Sequence, residues 1–136
     1  MDNGGRPEIV SFVTDDEIRA AGETAIRCKF VIVKTPDAIV LAFAPVFRYA
    51  YHANILEALC AQKQILTRWE RQPDRLEILD PEVTVHGGGH LALTPSQRRA
   101  HFGGSSKAYG FFDRDLLRSI LQANTSSHFV TVTVEE

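Results

Sequence analysis

Apolar residues along the 136-residue chain follow two kinds of spacing. Residues 8–13 alternate weakly and run into Thr14-Asp15-Asp16, which predicts a first strand, and 16–22 read as a polar connection. Residues 27–34 (RCKFVIVK) are rich in β-branched and aromatic side chains and predict a second strand. In it Arg27 and Lys29 share one face while Cys28 and Phe30 share the other. The turn signature Thr35-Pro36-Asp37 leads into 38–44, apolar enough to be an antiparallel return strand in the middle of a sheet. After Pro45 the period becomes helical: Ile55, Leu59, Leu66 and Trp69 predict a long helix over 49–71, stopped by Gln72-Pro73-Asp74. Two β-like bursts around Pro81 (76–86) precede Gly87-Gly88-Gly89, and 90–94 and 100–104 read as strands joined by a polar turn. Asp113 predicts the N-cap of a second helix with Leu116, Leu117, Ile120 and Leu121 on one face. Residues 129–134 (FVTVTV) alternate as a last strand. The pattern predicts an α+β fold, a mixed, roughly six-stranded β-sheet with two α-helices packed on it, as one domain over 1–136 with 1–7 flexible.

Composition narrows the function classes. Fifteen Lys and Arg against seventeen Asp and Glu give a net charge of −2. That argues against general attraction to nucleic acid or anionic lipid and leaves room for a local basic pocket. No basic stripe with interleaved aromatics marks a nucleic-acid surface. Cys28 and Cys60 cannot make a disulfide framework and read as small buried hydrophobes in a reducing compartment. The longest apolar run, 38–44, is too short to span a bilayer, and residues 1–8 lack the features of a secretion signal. The expectation is a soluble, cytoplasmic, monomeric protein with no nucleic-acid or membrane partner.

Three segments carry candidate chemistry beside a structural explanation. Gly87-Gly88-Gly89 is expected where the chain turns sharply, as in a tight hairpin or bulge, or where something approaches closely. Residues 102–110 (FGGSSKAYG) form either a flexible polar loop or a nest of backbone N–H donors for an oxyanion, with a hydroxyl from Ser105 or Ser106 and the charge of Lys107. The loop is not a Walker motif. In Tyr51-His52-Ala53-Asn54 the histidine opens a helix, where the dipole disfavours its protonated form and leaves a neutral base. The alternative is an exposed histidine with no task. His86 and His90 flank the glycines, but no Cys, Asp or Glu cluster completes a metal site, and no metal or other cofactor is expected. His101 and His128 read as structural. Neither serine sits in a GxSxG elbow, so a hydrolase triad is not supported.

In order, Lys29 in a strand, Tyr51-His52-Ala53-Asn54-Ile55 opening a helix, Gly87-Gly88-Gly89, and Ser106-Lys107-Ala108-Tyr109-Gly110 before a second helix resemble the Janus family, which includes the small cytosolic phosphohistidine phosphatases. The resemblance runs from about Cys28 to the C-terminus, with 65–85 matching poorly. It implies a mixed six-stranded sheet with two helices. It also implies a metal-independent phosphatase acting on phosphohistidine-containing proteins or peptides and on related phosphoramidates. His52 falls on the family's catalytic histidine, Lys29 on its strand lysine and Ser106 on its phosphate-loop serine, with backbone donors around Lys107 and Ala108. Two positions depart from the family: His90 and Ala44 stand where it carries arginines, whose forked guanidinium suits a phosphoryl dianion. Arg48, Lys107 and His90 are candidate substitutes. The competing expectation is a non-catalytic phosphate- or phosphopeptide-binding module on the same fold.

Overall fold

The computed structural model describes residues 5–124 and 131–135. Among them eight strands and three α-helices follow one another: β1 (Arg6–Ser11), α1 (Asp15–Ala21), β2 (Ile26–Lys34), β3 (Ala38–Pro45), α2 (His52–Gln62), β4 (Thr67–Arg71), β5 (Arg75–Ile78), β6 (Thr84–Thr94), β7 (Arg99–Gly103), α3 (Arg114–Ala123) and β8 (Thr131–Val134). Six strands form one sheet in the order β1-β3-β2-β6-β7-β8, and β4-β5 is a separate hairpin. The outer pairs β1–β3 and β7–β8 are parallel and the inner pairs antiparallel, so the fold is α+β with a mixed six-stranded sheet.

Strands β2 and β3 are apolar on both faces because both faces are covered. Phe30, Ile32, Leu41, Phe43, Leu91 and Phe102 pack under Leu117, Ile120 and Leu121 of α3. Phe30 meets Phe102 and Phe112 edge to face, at 5.3 and 5.0 Å between ring centres. On the other face Val31, Val33, Val40 and Ala42 pack under Ala53, Ile55, Leu56 and Leu59 of α2. Cys28 and Cys60 belong to opposite cores, and burial pushes their thiols up to about 12 and about 11, which makes both unreactive. Among the described residues no helix is long and apolar enough to cross a membrane.

The structure corrects four sequence expectations. Segment 16–22 is a helix, α1, rather than a connection. Thr14 Oγ1 accepts from Glu17 N–H at 3.1 Å while Glu17 Oε1 accepts from Thr14 N–H at 2.8 Å, a reciprocal cap that holds a helix with no fully buried residue. Thr14→Ala is expected to destabilise α1 locally by about 1 kcal/mol, read as roughly fivefold faster amide exchange in that helix. Unchanged exchange there would show that contacts beyond the cap hold the helix. Secondly, the N-terminal strand begins at Arg6, inside the segment expected to be flexible, because Arg6 to Ser11 pair with Ala38 to Phe43.

The third correction concerns the long helix, which ends at Gln62. Gln64 takes a left-handed conformation (φ +61°) and Ile65 N–H bonds back to Cys60 O at 2.8 Å. Trp69 still packs against the α2 core, but from strand β4, and Leu66 is exposed. Finally, the segments on either side of the three glycines form one strand, so of the expected alternatives the bulge and the close approach hold and the hairpin does not. The register slips between Val31 and Val33, and Gly87 takes φ +90° at the resulting bulge. Of the expected last strand, β8 covers the part from Thr131 to Val134; Phe129, Val130 and His128 lie outside the described residues.

Candidate active site

Alternation along β2 decides which side Lys29 takes. Val31 and Val33 lie under α2, so Lys29, on the same face, emerges where that helix begins. Register places Ala44 beside it on β3 and His90 beside it on β6. Helix α2 opens with His52. Asn54 Oδ1 reaches back to accept from Tyr51 N–H at 3.0 Å, and Ala53 and Ile55, both fully buried, press the first turn onto the sheet.

The glycines let that first turn come close. A Cβ on Gly88 would stand 2.5 Å from Phe30 O and 3.0 Å from His52 Cδ2. On the opposite face, a Cβ on Gly89 would stand 2.4 Å from Gly103 O and 2.9 Å from the Phe30 ring. His52 is 7% exposed, and its Nε2–H donates to Gly89 O at 2.9 Å. A carbonyl only accepts, so Nε2 carries the proton and the neutral ring keeps its lone pair on Nδ1. Nδ1 lies across the ring from the Cδ2–Nε2 edge that rests on β6.

His52 lines a cleft of about 650 Å³ together with Lys29, Tyr51, Arg71, Asp74, Arg75, His90, Ser105, Lys107 and Ala108. Four cations, Lys29, Arg71, Arg75 and Lys107, face one carboxylate, Asp74, so a chain of net negative charge presents a locally basic site. Lys29 Nζ donates to Ala50 O at 2.6 Å, and burial draws its pKa below the usual lysine range. The His90 ring meets His52 edge to face at 5.8 Å, and burial, then Lys29 and Arg27, lower its pKa. Arg71 pairs with Asp74 at 3.0 Å and holds that carboxyl below its usual range.

Burial is the main cause that pushes His52 down to about 4, with Lys29 and His90 adding to it against the Gly89 hydrogen bond. The sequence attributed a low pKa to the helix dipole; in the fold, desolvation leads. The ordinary imidazole value is 6.5, so the unfolded chain binds a proton first as pH falls. The stability gained by burying a neutral ring is therefore complete above about 6.5 and lost between there and about 4, on the order of 3 kcal/mol. Denaturant melts at about pH 7 and about pH 4.5 should show this loss in the wild type and not in His52→Gln. An equal pH dependence in both would contradict it.

Of the residues expected at the site, the cleft gathers His52, Lys29, His90, Lys107 and Ala108. Ser106 is buried and is not among the lining residues: its N–H donates to Gly110 O at 3.1 Å and its Oγ accepts from Tyr109 N–H at 3.1 Å, so it braces the loop. Ser105 lines the cleft in its place. Arg48 is elsewhere, bonded to Glu17 at 2.5 Å and to Phe12 O at 2.5 Å. Ala44 is fully buried in the α2 core. Arg71, Asp74 and Arg75 were missed because a helix drawn through 49–71 and stopped at Pro73 hides a hairpin; the alternation Thr67-Arg68-Trp69-Glu70-Arg71 was the available signal. His86 Nε2 pairs with Thr84 Oγ1 and His101 Nδ1 with Thr133 Oγ1. Among the described residues no group of three or more His, Cys, Asp and Glu is placed to hold a metal ion. Neither the family models nor the curated proteins compared with this chain match it.

Proposed function

We propose that this protein is a cytoplasmic, metal-independent phosphohistidine phosphatase that cleaves the P–N bond of phosphohistidine in other proteins. The observation that carries the reading is a buried neutral histidine, tautomerically fixed by Gly89 O, in a cleft with four cations. The likeness to the Janus family supports the same reading from sequence. Lys29 and Lys107, with the Lys107 and Ala108 amides, cradle the phosphoryl oxygens as charge builds in the transition state. A water in line with the P–N bond attacks phosphorus and gives its proton to His52 Nδ1. The P–N bond breaks, its electron pair returns to the imidazole nitrogen, and the open cleft lets that nitrogen take a proton from solvent. Arg71 and Arg75 bring positive charge that the family's arginine positions, here His90 and Ala44, do not supply.

Direct attack by His52 Nδ1 on phosphorus is the covalent variant of the same chemistry. Rapid quench with labelled substrate separates the two, since only the variant leaves protein-bound phosphate. The reading itself is tested by hydrolysis of a phosphohistidine peptide with chelator present. Chelator-resistant turnover, weakened in Lys29→Ala, is expected. A folded wild type that binds phosphate but turns nothing over would make the non-catalytic binding module the better account.

A further inference from the structure

The β4–β5 hairpin lies outside the motifs that carry the family resemblance, yet it grips the loop after β7. Tyr109 Oη donates to Leu76 O at 3.0 Å and accepts from Leu76 N–H at 2.9 Å. Arg75 Nη1 donates to Ala108 O, and the guanidinium lies over the Tyr109 ring, 5.6 Å from its centre. Its Nε donates to Glu70 Oε1 at 3.2 Å, which anchors the side chain to its own hairpin. Within the loop, Ser106 Oγ accepts from Tyr109 N–H. The peptide joining Ala108 to Tyr109 is thus held at both polar ends, its carbonyl by Arg75 and its N–H by Ser106. The two amides just before it, of Lys107 and Ala108, have no acceptor among the described residues, and both residues line the cleft.

We propose that Arg75 is the positioning residue of an anion-binding loop, holding the peptide after Ala108 so that the Lys107 and Ala108 amides are presented to phosphoryl oxygens. The proposal rests on reading the cleft as a phosphoryl site and adds what orders it. A loop of small residues loses conformational freedom when it closes on an anion, and a clamp that sets its shape beforehand removes that cost from binding. Consecutive N–H groups bind an anion only when fixed on one concave side. Tyr109 belongs to the same clamp, so its effect separates positioning from charge: Tyr109→Phe keeps every cation and removes both hydrogen bonds to Leu76.

The test is titration of the nitrogen-15-labelled protein with inorganic phosphate, following the Lys107 and Ala108 amides. In the wild type both are expected to move downfield and saturate. In Arg75→Ala saturation should need roughly tenfold more phosphate, with smaller shifts at both amides, and free guanidinium should restore part of the loss. Tyr109→Phe should weaken binding about threefold in the same manner. Unaltered dispersion of the remaining amides would show that both variants fold. Arg75→Ala with weakened affinity but full amide shifts would make Arg75 a direct ligand and overturn the proposal. So would a Tyr109→Phe variant equal to wild type, or wild-type amides that ignore phosphate. Turnover of phosphohistidine peptide in that last case would leave the phosphatase reading standing, while amide shifts without turnover would remove that reading and keep the loop.

Discussion

Replacing His52 with Ala is expected to lower turnover of a phosphohistidine peptide by about 10² to 10⁴-fold, the range lost with a general base, while phosphate affinity stays within about threefold. The cations and the loop amides, which on the proposed reading hold the phosphoryl group, are untouched, so the loss falls on kcat. His52→Gln is the companion variant. An amide N–H can satisfy Gly89 O as the Nε2–H does, but it offers no base at the Nδ1 position. Both variants should therefore be equally inactive, with the glutamine form the more stable because Gly89 O keeps a donor. Equal turnover in wild type and His52→Gln, measured on folded protein, would remove His52 from the chemistry. With His52 at about 4 in the free protein, the acid limb of kcat/KM should also fall near that value, well below an ordinary histidine. A bound phosphoryl dianion opposes the shift, which moves the limb of kcat upward.

Gly88→Ala is expected to cost about 3 kcal/mol, the upper end for overpacking, and to lower the melting temperature by roughly 10 °C. The new Cβ would stand 2.5 Å from Phe30 O, a backbone atom in a strand flanked on both sides, which has no room to retreat. It would also press on His52 Cδ2 at 3.0 Å. The molecules that remain folded should then turn over roughly tenfold to a hundredfold more slowly, since a small misplacement of a reacting group is enough to do so. Thermal melts and activity per folded molecule check the two halves separately. A Gly88→Ala protein of wild-type stability would mean that β6 yields at the Val31–Gly88 pair, beside the bulge, and that the glycine is not needed there.

Strand faces were legible wherever the side-chain period was clean. The chain 28–33 alone placed Cys28 and Phe30 opposite Lys29, and the structure keeps that division with an α-helix over each face. The α3 cap was legible too, since Asp113 accepts from the Asp115 and Leu116 amides at 2.9 and 3.1 Å, and Leu117, Ile120 and Leu121 are buried. Segment 64–71 was misread because Trp69 has two explanations at the level of spacing. It is apolar at helical distance from Leu66, and it is also the half-buried member of an alternating strand.

What the sequence offered by itself is a set of candidate residues, His52, Lys29, His90, Ser106, Lys107 and Ala108, and the local periods that place them on a helix start, two strands and a loop. These follow from short-range rules, because side-chain direction repeats every two residues in a strand and every 3.6 in a helix. Only the tertiary structure decided that β4 and β5 bring Arg71, Asp74 and Arg75 to the same cleft, that Ser106 turns inward while Ser105 lines it, and that Arg48 is tied to Glu17 instead. The main cause and the size of the lowering of the His52 pKa, and its tautomer, were decided there as well. Desolvation and a hydrogen bond to Gly89 O depend on what packs against the ring from 37 positions away in the chain, and no local pattern encodes that contact.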